Sequence, residues 1–130
     1  MLLFGHRFIP SISFYHIVDI DAIDHTPPSS VLLIVFHEDN LDLISHAHDN
    51  NILFALQVNT VTEIIYAANL GCSFIIIEKH MANIAQNIAE NYLFDAKILV
   101  QIHHDTEIEK FALLNIDGAI YPNAIVKINS

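Results

Sequence analysis

Short apolar runs return along this chain about every 21 residues, and each is followed by a stretch with helical periodicity. The runs cover residues 31–36, 52–58, 73–77, 97–102 and 118–121. Strands separated by helices cannot pair as hairpins, so the rhythm predicts βαβ units and a parallel sheet. The runs are nearly continuous in apolar character, with no alternation of polar residues. That pattern predicts a doubly wound, five-stranded sheet with helices on both faces.

The helices between the runs carry their own punctuation. Thr60 and Glu63 have the spacing of a capping box, Val61, Ile64, Ile65 and Ala68 share a face, and Gly71 suits a stop. Met81, Ile84, Ala85, Ile88 and Tyr92 predict the apolar side of a further helix. Another begins at Asp105 or Thr106, with Glu109 closing a second box, and buries Ile108, Phe111, Ala112 and Leu114. The helix over 39–49 is expected to turn Leu41, Ile44 and His48 inward. Residues 1–30 lie outside the repeat as an N-terminal extension, with a strand expected over 12–18, a short helix over 19–25 and an edge strand or dimer arm in the first nine residues. The reading is one domain over 1–130 with its repeating core at 31–128.

Composition narrows the classes of function. At 130 residues and 53% hydrophobic, with three Gly and four Pro, the chain is long enough to bury a core and unlike a disordered segment. Its single cysteine, Cys72, forms no internal disulfide, and together with the absence of a secretory pattern this predicts a cytoplasmic protein. No apolar run approaches the ~20 residues needed to span a bilayer, so no membrane role is expected. Fifteen acidic against five basic residues give a net charge of −10, which would repel a phosphate backbone and argues against a nucleic-acid partner. Nine histidines are unusual, and protonating all of them would bring the charge to −1.

In parallel α/β sheets ligands bind beyond the carboxyl ends of the strands. The residues there are His37, Glu38 and Asp39 after the first run, Asn59 and Thr60 after the second, and Glu78, Lys79 and His80 after the third. His103, His104 and Asp105 follow the fourth run and Asn123 the fifth. Carboxylates and imidazoles in such a set can ligate a divalent metal, with Glu38, Asp39 and Glu78 as its ligands, or act as general acids and bases. The same positions also cap helices, as Thr60 and Asp105 are placed to do. His46 and His48, two apart on a helix, point to different faces and make a poor chelate. Phosphate-binding glycine loops and nucleophile-elbow motifs are missing.

Residues 31–39, an apolar run ending in Glu38 and Asp39, resemble the first strand and acidic pair of the response-regulator receiver family. Residues 70–81 resemble that family's central strand, with Glu78 where the phosphoacceptor Asp belongs and Met81 where a Met commonly precedes Pro. Residues 113–122 resemble its last helix and strand. The resemblance implies a flavodoxin-like fold. The family's strand-end hydroxyl and Lys are replaced by Ile102 or His103 and by Tyr121 or Pro122, so standard phosphotransfer is not implied. A degenerate receiver of this kind would be a non-catalytic interaction or regulatory module, with a protein partner or a second copy in a homodimer. Residues 59–71 and 114–120 are also similar to unit boundaries of (βα)8-barrel enzymes, and that likeness implies a half-barrel that dimerises. The clustering of ionisable groups at one sheet edge gives the alternative of a small metal- or acid/base-dependent enzyme using Glu38, Asp39, Glu78, His80 and His103, either alone or as such a half-barrel dimer.

Overall fold

In the computed structural model, which describes residues 1–128, eight strands lie in a single parallel sheet. They are β1 (Leu2–Phe4), β2 (Phe14–His16), β3 (Val31–Val35), β4 (Phe54–Gln57), β5 (Phe74–Ile77), β6 (Lys97–Gln101), β7 (Gly118–Ile120) and β8 (Ile125–Lys127). Four helices connect the middle strands: α1 (Leu41–Asp49), α2 (Val61–Asn69), α3 (Ala82–Asn91) and α4 (Ile108–Leu113). The order across the sheet is β1-β7-β6-β5-β4-β3-β2-β8. The five runs of the repeat are β3 to β7, and the short elements at both ends of the chain supply the other three strands.

This arrangement corrects the expectation of a five-stranded, doubly wound, flavodoxin-like sheet. The sheet has eight strands and is curled into a half-barrel, as the chain's own reach requires. Strands β7 and β8 are second and eighth in the order, yet only residues 121–124 separate them. Six strand spacings in a flat sheet would span ~29 Å. Five residue steps reach at most ~18 Å. Curling resolves the conflict, and it brings the Phe4 ring of edge strand β1 to 5.1 Å from Phe14 on β2 and 5.6 Å from Phe74 on β5.

The curl divides the core in two. The convex face of the sheet packs against all four helices, with Leu32, Ile34, Leu56, Ile75, Ile98 and Val100 meeting Ile44, Ile64, Ala85 and Phe111. The concave face is filled by strand residues, among them Phe4, Phe14, Leu33, Ile76, Leu99 and Ile120. Continuous apolar strands are therefore buried on both sides, but helices cover one side and the sheet itself covers the other. Gly118 belongs to this closure, because a Cβ there would come within 2.7 Å of Leu99 Cδ2 and 3.0 Å of Leu2 Cβ. Gly5, at φ +89°, turns the chain out of β1, and a Cβ there would meet Ala124 at 2.9 Å.

Local rules account for most element ends. Thr60 Oγ1 accepts the Glu63 N–H at 3.1 Å, and the Glu63 carboxylate accepts the Asn59 N–H at 2.8 Å. Asn51, Gly71, Leu93 and Asn115 all take positive φ just past the four helices. Two helices are turned differently from their predicted stripes. In α3 the small residues Ala82, Ala85 and Ala89 face the sheet together with Gln86, leaving Ile84 and Tyr92 exposed, because alanines let the helix approach closely. In α1 it is Leu43, Ile44 and Ala47 that are buried, while Leu41 and His48 are exposed. At the amino end of the strands Asp117 ties this layer together: its N–H donates to Gln86 Oε1 and its carboxylate accepts the Ile98 N–H, both at 2.9 Å.

Candidate functional site at the mouth of the half-barrel

Side chains alternate across a strand, so residues two beyond a concave-core residue point the same way. Phe14, Ala55, Leu99 and Ile125 belong to the concave core. His16, Gln57, Gln101 and Lys127 therefore form the next layer, at the carboxyl ends of β2, β4, β6 and β8, with Glu78 just past β5. Three of the strand-end positions, His16, Gln57 and Gln101, are half-buried. An apolar floor gives way here to a polar layer around one concavity, whose clefts are lined by Glu78, Gln101 and Lys127 and not by His16 or Gln57.

The concavity consists of adjoining clefts. One of about 260 Å³ is lined by Glu78, Lys79, Gln101 and His103. A second, of about 280 Å³, lies among Gln101, His103, Ile120, Pro122, Ile125 and Lys127. A third, of about 490 Å³, opens between His6, Arg7, His103, Asp105, Tyr121 and Asn123. His103 borders all three, and Gln101 stands as the partition between the first two. His16 is in register with Lys127 across the β2–β8 pair. Burial, and then the Lys127 charge, lower the proton affinity of His16 below the ordinary histidine value of 6.5. Both influences favour the uncharged imidazole of His16.

The rim is held by two charged clusters. Asp105 accepts hydrogen bonds from the Tyr121 hydroxyl and from Arg7 at 2.9 Å, and His6 Nε2 lies 3.2 Å from it. The Phe8 N–H donates to His6 Nδ1, which leaves Nε2 to carry the proton that faces Asp105. This clasp joins the loop after β1 to the ends of β6 and β7. It depresses the Asp105 carboxyl, chiefly through the Tyr121 hydrogen bond, while burial and Asp105 push the Tyr121 hydroxyl up to about 12. In the second cluster Lys79 pairs with Glu107, whose other oxygen accepts the His103 and His104 N–H groups at 3.0 Å. The Lys79 hydrogen bond, foremost, holds Glu107 down to about 2.

Of the residues expected from sequence, Glu78, Lys79 and His103 border the mouth together. His104 lines the larger cleft at the β1 side. His80 is exposed, with its Nδ1 3.7 Å from Glu78. His37, Glu38 and Asp39 are exposed and line none of the three clefts, and His37 Nδ1 caps the Asp39 N–H at 3.0 Å. Among the described residues no three His, Cys, Asp or Glu side chains gather as a metal would require, so Glu38, Asp39 and Glu78 are not brought into one ligand set. Cys72 is buried beneath α2, donates to the Ala67 carbonyl, and burial pushes its thiol up to about 12, so it carries no reactive thiolate. Sequence reading missed His16, Gln57, Gln101 and Lys127 because they lie within strands. The available signal was their parity with Phe14, Ala55, Leu99 and Ile125.

No helix of the described residues is long and apolar enough to cross a membrane. No protein-family model matches the chain, and no curated protein is similar to it in sequence.

Proposed function

We propose that this chain takes up a small polar molecule in the mouth of its half-barrel, where His16 is placed to accept a proton from it. One observation carries the reading: strand-end polar residues cap an apolar concave core, Gln101 and Lys127 among them border clefts that meet at His103, and His16 stands in register beside Lys127. Such a combination of apolar walls and few convergent polar groups is what small-molecule sites share. His16 would serve as base, since its neutral form is favoured, and Glu78 and His103 would bind or exchange protons at the opening. This is the acid/base alternative drawn from the sequence, with His16 added and the metal set left aside. A cytoplasmic setting accords with the single buried thiol.

The competing reading is a receiver-like docking module that engages a protein partner or a second copy. The strand–helix rhythm supports it, whereas the one-sided placement of the helices does not. A nitrogen-15 NMR titration with sugars, amino acids, small carboxylates and phosphate compounds separates the two. The small-molecule reading expects shifts at His16, Gln57, Gln101 and His103. If every compound leaves these signals in place, and a protein partner is retained equally by wild type and by a Gln101→Leu, Lys127→Gln double variant, docking replaces it.

A further inference from the structure

The wall of the mouth contains one polar atom whose hydrogen bond is unmade. Gln101 Nε2 is sealed from solvent and has no partner among the described residues. A buried amide left in this way destabilises the folded state, and a leucine of similar shape would remove the penalty. Gln101 nevertheless lines two open clefts, so its amide lies at the boundary of cleft space and not deep in packed core. An incoming acceptor can then take the bond the protein leaves unmade.

The charges around Gln101 say which acceptor. Arg7 is engaged by Asp105 and Lys79 by Glu107, so the cations at the rim are neutralised there. Lys127 enters none of the ion pairs of the described residues and lines the cleft on one side of Gln101, above Ile120, Pro122 and Ile125. Glu78 lines the cleft on the other side. A negative group entering the mouth is repelled from the Glu78 side and drawn to the Lys127 side, where the glutamine amide waits as donor. The polarity is local, since the chain as a whole carries −10.

We infer that the cleft between Gln101 and Lys127 is the site for the oxyanion of a small carboxylate or phosphate compound. One ligand oxygen accepts from the Gln101 amide, the charge faces the Lys127 ammonium, and the apolar floor carries the ligand's body. The cleft's volume of about 280 Å³ restricts the ligand to a few heavy atoms beyond its anionic group. This inference rests on the proposed small-molecule site and names the chemistry of its ligand.

The test titrates the isotope-labelled full chain separately with inorganic phosphate, acetate and glycerol, following the Gln101 side-chain amide and the Lys127 side chain. Saturable shifts with phosphate or with acetate are expected, and which of the two is tighter assigns the anion class. Lys127→Gln, at an exposed position, should weaken the binding about tenfold or more. Gln101→Leu should weaken it similarly while raising the melting temperature of the free protein. Shifts with glycerol alone would overturn the oxyanion assignment and leave the mouth a small-molecule site. Anion shifts confined to Arg7 and Asn123, unchanged by Lys127→Gln, would also overturn it. A lowered melting temperature for Gln101→Leu would show the amide to be structurally satisfied and count against the site. Silence with all three probes would remove the inference, while the wider compound panel separately decides the reading beneath it.

Discussion

The two ends of the half-barrel both carry clefts, and a larger one lies at the end opposite the proposed site. At the amino ends of the strands a groove of about 650 Å³ runs between α2 and α3, lined by Ile65, Ala68, Gly71, Cys72, Leu93 and Phe94. Its polar lining is the Asn69 amide, the Tyr92 hydroxyl, the Asp95 carboxylate and the buried thiol of Cys72, and nearby hydrogen bonds such as those of Asp117 are made within the fold. At the carboxyl ends the clefts are smaller, yet they are lined by an amide and an ammonium that have no hydrogen-bond or ion-pair partner among the described residues and by a carboxylate, with the His16 imidazole in register beside the ammonium. The proposed site follows the polar groups that the fold leaves unfinished.

The sharpest way to break this contrast is to remove the floor of the mouth. Phe14 is wholly buried against Phe4 and Phe74. Phe14→Ala should cost ~3–5 kcal/mol, measured by urea denaturation, because the concave core cannot collapse into the space. At the opposite end Asp117→Ala leaves the Ile98 N–H without its acceptor, and a loss of ~2 kcal/mol is expected in the same assay. An Asp117 variant as stable as wild type would show that the amino end is not the structural end.

A smaller effect, of the other sign, is expected at Leu93. This residue is 86% exposed and sits at φ 55°, where Asn51, Gly71 and Asn115 occupy the matching positions. Leu93→Gly relieves the left-handed strain and should stabilise by ~1 kcal/mol. If it also weakened self-association or partner binding, the amino-end groove would become the docking surface and the contrast would reverse.

The smallest effect lies in the titration of His16. Its folded proton affinity is depressed below that of the unfolded chain, so its contribution to stability is complete above pH 6.5 and is lost as pH falls through the lower folded midpoint. Proton NMR should place that midpoint below 6.5, and Lys127→Gln should raise it only partway, since burial is the larger cause. A midpoint at or above 6.5 would take the neutral base out of the mouth.

Much of the molecule was legible from its chain. The spacing of the apolar runs located β3 to β7, the strands over 12–18 and at the N-terminus were anticipated as additions, and Thr60 with Glu63 announced α2. Strand β8 was not, because Ile125–Lys127 is three residues long and follows β7 without a helix between them. For the site, Glu78, Lys79 and His103 could be found as loop residues after strands. His16, Gln57, Gln101 and Lys127 could not, since their importance depends on which face of each strand is concave.

Sequence alone determined that this chain alternates strands and helices in one parallel α/β unit, because local periodicity and capping act over a few residues. Only tertiary structure decided between the doubly wound five-stranded sheet and the half-barrel, both of which the sequence had suggested. That outcome depends on Gly118 admitting Leu2 and Leu99, on Phe4, Phe14 and Phe74 meeting across the concave face, and on four residues bridging β7 to β8. These contacts join positions up to about a hundred residues apart, so no local pattern encodes them, and the mouth with its groups exists only once they are made.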